Sequence, residues 1–160
     1  MKEAFKKNRE KLLNRIEMFS AAVIFAGKAP YKRGDEKYPF APDRNFYYVT
    51  GIDREDCILF LAKTKTGVQE TLFIPRDNGV MAKWVGANMT AEEATEISGI
   101  ENIAWIDEFE SEFAAYIFKN GIKKLWLDME NREWGYSLSP ALEFAAKVRQ
   151  NAPHMIFGDL

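Results

Sequence analysis

Short apolar runs in this 160-residue chain alternate with stretches that carry helix-start and helix-stop signals, and that alternation limits the fold more than any other feature. Residues 4–18 place Phe5, Leu12, Leu13 and Ile16 among charges, the pattern of a helix with one inward face. Residues 20–27 (SAAVIFAG) are apolar and closed by a glycine, as a buried strand would be. After a polar loop over 28–37, residues 57–64 and 69–75 read as two strands around Lys65-Thr66-Gly67, a hairpin signal. Thr90 and Glu93 form a capping box for a helix that stops at Gly99, and a short strand over 102–106 follows. Asp107 with Glu110 repeats that cap chemistry for a helix burying Phe109, Phe113, Tyr116 and Ile117 and ending at Gly121. Residues 123–129 are another strand. Ser139-Pro140 opens a last helix with Leu142, Ala145, Ala146 and Val148 inward, and residues 154–157 start one more strand. The pattern predicts one α/β domain over 1–160, a mixed sheet covered by helices.

The stretch from Tyr38 to Ile52, YPFAPDRNFYYVTGI, breaks the alternation. It is too aromatic for a surface loop and too interrupted by Pro39 and Pro42 for a strand. It fits a structured loop entering a short helix, with Asp43 as N-cap, Gly51 closing the end, and Phe46 and Val49 inward.

Composition excludes several roles. A net charge of −2 and a pI near 5.6 argue against a nucleic-acid binder held by phosphate contacts. Lys2, Lys6, Lys7 and Lys11 alternate with acidic residues and read as a solvated helix face. No apolar run approaches the roughly 20 residues that span a bilayer, and the N-terminus lacks the apolar core of a signal peptide. Cys57 is the only cysteine; inside CILFLA it reads as a buried small hydrophobe, which suits a reducing cytoplasm.

Catalytic patterns are missing too. His154 is the only histidine, so neither a His-rich metal set nor a serine triad has its parts, and no G-x-S-x-G or phosphate loop occurs. Glu92, Glu93, Glu108, Glu110 and Glu112 sit where helix starts explain them. Trp84 lies in a loop-like stretch, MAKWVGAN, and reads either as a cover for the core edge or as an exposed contact.

In order, SAAVIFAG, Asp35 before YPF, RNFYYVTGI, ETLFIPR and KWVGANMTAEEA resemble the N-terminal domain of aminopeptidase P, of the creatinase/prolidase type. The resemblance covers residues 5–157. It implies a ribonuclease-H-like fold with about six strands in a mixed sheet flanked by helices. It also implies that Asp35, Tyr38, Phe40, Asp43, Asn45, Phe46, Tyr48, Thr50, Gly51 and Gly86 are mainly structural. Trp84 matches a tryptophan that can reach a neighbouring subunit's substrate cleft. Where the family often has arginine this chain has Asn88, and Ala41-Pro42 replaces an Arg-Gln pair. The parent would be a cytoplasmic, oligomeric metallopeptidase that removes the residue before proline, using two manganese ions in a C-terminal pita-bread domain. This chain would then hold no catalytic or metal residues. Its partners would be that domain, neighbouring subunits and a peptide with proline second. The chain ends soon after its last helix, which fits a piece of a longer polypeptide. A free-standing module binding a peptide or small molecule is the alternative, and a carboxylate-based hydrolase a third reading.

Overall fold

The computed structural model describes residues 1–130 and 133–160. Helix α1 (Lys2–Arg15) leads into strand β1 (Ser20–Phe25), and a small hairpin of β2 (Tyr31–Arg33) and β3 (Glu36–Lys37) follows. Next come α2 (Arg44–Thr50) and the antiparallel pair β4 (Ile58–Thr64) and β5 (Gly67–Ile74). The short α3 (Ala82–Val85) precedes α4 (Ala91–Ser98), β6 (Ile103–Trp105), α5 (Phe109–Lys119), β7 (Lys124–Leu127), α6 (Pro140–Asn151) and β8 (Ile156–Asp159).

Six strands form one mixed sheet, as expected, in the order β6-β5-β4-β1-β7-β8. β4 is antiparallel to both neighbours and the other pairs are parallel, so five strands end at the same edge. The central strands bury both faces. Ala21 and Val23 of β1 face one core while Ala22 and Ile24 face the other, and Phe60 and Leu61 of β4 divide likewise. This is why those strands read as unbroken apolar runs instead of alternating ones. The first core takes Phe109, Phe113 and Ile117 of α5 with Phe144 and Val148 of α6. The second takes Leu13 of α1, Phe46 and Val49 of α2, and Ala94 of α4.

Three expectations need correction, and one open alternative is decided. The polar loop over 28–37 contains the β2–β3 hairpin, whose strands are exposed throughout and so leave no apolar periodicity to read. Asp107 does not cap α5: it lies in a 3₁₀ turn (Ile106–Glu108), and Arg76 Nε donates to both its carboxylate oxygens at 2.9 and 3.0 Å. In α6, Ala146 is exposed and Leu142 half-buried, while Ala141 and Phe144 join Ala145 and Val148 on the inward face, which is set by packing against the first core and not by the helix start. Trp84 does not cover the core. Other details match: Thr90 and Glu93 form the capping box, Cys57 is buried, and the lysines of α1 are exposed.

Candidate functional site

Because β4 alone runs backwards, the connections that leave β1, β5 and β7 all emerge at the carboxyl edge of the sheet. In open α/β sheets ligands are bound outside the carboxyl ends of the strands. The Tyr38–Ile52 segment follows β1 there, and the Trp84 loop follows β5.

The first segment is built from inside. The Asp43 carboxylate accepts from Phe46 N–H at 3.0 Å and caps α2, while Asp43 N–H donates to the Ala26 carbonyl at the end of β1. Phe46 is fully buried. At the other end, Thr50 Oγ1 donates to the Phe46 carbonyl and accepts from Ile52 N–H, and Gly51 turns the chain at φ 72°. A side chain on Gly51 would run into the Phe5 ring of α1, so both the backbone angle and the space require glycine. Phe40 is half-buried against the second core. Tyr38 and Tyr48 are exposed, and Asp35 sits in the β2–β3 turn. Asn45 Nδ2 donates to Asp128 Oδ2 at 3.3 Å, linking α2 to the end of β7. Desolvation, then the charges of Asp43 and Glu130, push the Asp128 carboxyl above its usual range.

The second segment is a loop tied at its neck. Asn78 Nδ2 donates to the Gly86 carbonyl at 2.8 Å, and Asn78 Oδ1 accepts from Asn88 N–H at 3.1 Å. Asn88 Nδ2 donates to the Arg76 carbonyl at 2.7 Å, so the asparagine that departs from the family pattern closes the loop. Arg76 is held by Asp107 and Glu108 and lies 5.3 Å above the Trp105 ring. Beyond this neck Val80, Trp84 and Val85 are 78, 84 and 71% exposed. Gly86, at φ 85°, turns the chain back toward buried Met89 and α4.

One residue outside both segments joins the helices below them. Arg9 of α1 is fully buried, and its Nη1 donates to the Val49 carbonyl at 2.9 Å and the Ser98 carbonyl at 3.0 Å. Its Nε meets Glu70 Oε1 at 3.2 Å. The last turns of α2 and α4 thus converge on one guanidinium, which the negative ends of both helix dipoles favour. The two ends are twins in sequence, Thr50-Gly51-Ile52 and Ser98-Gly99-Ile100. In each the hydroxyl bonds back four residues and accepts from the isoleucine amide. The signal for Arg9 was present in its spacing, four residues after Phe5 and four before Leu13, on the inward face.

Among the described residues, no three His, Cys, Asp or Glu side chains are placed to hold a metal ion. The described residues therefore do not fit a two-manganese centre. No helix among them is long and apolar enough to cross a membrane.

A mixed sheet with one reversed strand, helices on both faces and a tethered tryptophan-bearing loop defines a class of α/β domain. The chain matches the family model "Aminopeptidase P, N-terminal domain" over residues 5–126 and belongs to that family. A solved structure assigned as an aminopeptidase P from Bacillus anthracis is 43% identical with a TM-score of 0.94, covering 99% of this chain and 38% of that one. Aminopeptidase P from E. coli with the inhibitor Pro-Leu shares the fold at TM-score 0.79 and 19% identity, covering 99% of this chain and 36% of that one. Among curated relatives, Xaa-Pro aminopeptidase 3 of Dictyostelium discoideum is 35% identical over 102 residues, 63% of this chain and 20% of its own length. Xaa-Pro aminopeptidase of Haemophilus influenzae is 26% identical over 137 residues, 86% of this chain and 31% of its own length. The chain thus spans a fifth to a third of these curated relatives.

Proposed function

We propose that this chain is the non-catalytic N-terminal part of a cytoplasmic Xaa-Pro aminopeptidase, where it presents Trp84 to the substrate cleft of a neighbouring subunit. The observation that carries this reading is the loop 76–88: apolar at its tip, exposed, and fixed at its neck by side-chain hydrogen bonds. An isolated solvent-facing loop gains nothing from Val80, Trp84 and Val85 together, whereas a receiving pocket would bury all three. The parent would carry its two manganese ions in the following domain and remove the residue before proline.

Two measurements test this. The purified 160-residue chain should release no product from a Xaa-Pro peptide with or without manganese; metal-dependent turnover by this chain would overturn the reading. In the parent, Trp84→Ala should lower kcat/KM by about tenfold or more while leaving the melting temperature of the 160-residue chain unchanged. Unaltered kcat/KM would remove Trp84 from the cleft.

A further inference from the structure

Helices cover the two faces of the sheet unequally. Where α1, α2 and α4 pack, they cover β1, β4 and β5 and leave β7 and β8 open. A groove of about 390 Å³ lies there, with Leu12, Ile16, Val49 and Trp126 among its walls and Lys11 and Arg15 at its rim. The indole is set in place. Trp126 Nε1 donates to Glu17 Oε2 at 3.1 Å, and Lys124 Nζ stands 4.3 Å above the ring. Gly158, paired with Trp126 across β7 and β8, gives the ring its room: a Cβ at that position would come within 2.6 Å of it. Lys11 and Arg15 make no ion pair among the described residues, so both cations are open to a partner's carboxylate, although Asp159 lines the same groove.

We propose that this groove seats the polypeptide that follows Leu160 in the parent, a segment apolar on one side and carrying a carboxylate for Lys11 or Arg15. The proposal rests on reading the chain as the first part of a longer aminopeptidase. By its description the family model is an N-terminal domain, and in the 43%-identical relative most of the chain lies outside the matched region. Asp159 and Leu160 themselves line the groove, and Leu160 N–H is held by the Leu127 carbonyl. A continuing chain therefore leaves β8 inside the groove mouth.

Thiol labelling tests the occupant. Cys57 is buried and its thiol is pushed up to about 12 by desolvation, so it stays silent in the native fold. Tyr48→Cys reports the groove, and Val68→Cys, exposed on β5, serves as control. Both should label at similar rates in the 160-residue chain. In the parent, Tyr48→Cys should slow by about tenfold or more while Val68→Cys does not change. Equal rates for Tyr48→Cys in the two proteins would overturn the proposal, as would a reading frame that stops at Leu160. Protection that instead rises with concentration of the 160-residue chain would assign the groove to a second copy and also overturn it. Xaa-Pro hydrolysis by the same parent keeps the two readings apart. An active parent with an unprotected groove sinks only the groove; a protected groove in an inactive parent supports it and sinks the peptidase reading.

Discussion

Replacing Arg9 by methionine should cost several kcal/mol, and the structure supplies the terms. The change removes two charge-assisted bonds to the Val49 and Ser98 carbonyls, worth about 1.5–3 kcal/mol each. It leaves both carbonyls buried at helix ends, without the cation that the converging dipoles favour. The Glu70 bond adds little, at most about 1 kcal/mol, because that side chain is 26% exposed and can rehydrate. One term opposes the loss. Arg9 Nη2 is buried with no hydrogen-bond partner among the described residues, and removing it relieves about 1–3 kcal/mol. The net loss is about 2–4 kcal/mol, a large part of the ~5–15 kcal/mol that holds a domain together. At about 2–4 °C per kcal/mol for a chain of this size, the melting temperature should fall by roughly 10 °C. Urea denaturation of the wild type and Arg9→Met at one pH measures the difference directly. Arg9→Lys should fall between them, since an ammonium keeps the charge but cannot span both carbonyls and Glu70. A loss below about 0.5 kcal/mol for Arg9→Met would refute the account, because exposed positions already tolerate that much.

Gly51→Ala should destabilise by about 2 kcal/mol or more in the same assay, since it sets a Cβ at positive φ and against the Phe5 ring; shortening Phe5 to alanine as well should recover only the steric part. Asp128→Asn should be more stable than the wild type at neutral pH. The folded carboxyl titrates above its unfolded value, so its penalty is full above the folded pKa and vanishes below the ordinary Asp range. The gap between the two denaturation curves should therefore close as pH falls through that window; a gap that widens on acidification would contradict the sign. Cys57 should react with an aromatic disulfide reagent at mildly alkaline pH only as fast as the protein unfolds, and labelling at the rate of a free thiol would place it at the surface.

Much of the scaffold could be read from local chemistry. Asp43, Thr90 and Ser139 each cap the helix they were expected to cap, because an N-cap is settled by side chains within three residues. The β4–β5 hairpin was legible for the same reason: its register is set by a short turn, with Thr64 paired to Gly67. Failures came where a distant partner decided the outcome. Asp107 has the residue type and position of a cap, yet Arg76, thirty-one residues earlier, takes its carboxylate. The spacing of Arg9 puts it on the inward face of α1, but its partners, the Val49 and Ser98 carbonyls, come from distant segments that no local pattern names. Trp84 could be read as core or contact with equal reason, since its exposure depends on a neck closed by Asn78 and Asn88 on either side. The order of the sheet, with β1 between β4 and β7, is likewise a matter of long-range pairing that no local pattern encodes.

The tied neck of the 76–88 loop bears on how fast and how firmly anything could receive its tip. A free loop would surrender backbone freedom on docking, about 1–2 kcal/mol for each residue that becomes fixed. Here Asn78 and Asn88 have already taken much of that freedom at the base, so the tip arrives closer to its final shape and association loses less entropy. In the proposed docking, Asn78, a residue no partner has to touch, would add to the strength of binding alongside the indole. Substituting it would weaken binding through the free state alone, with every contact of the bound one left in place.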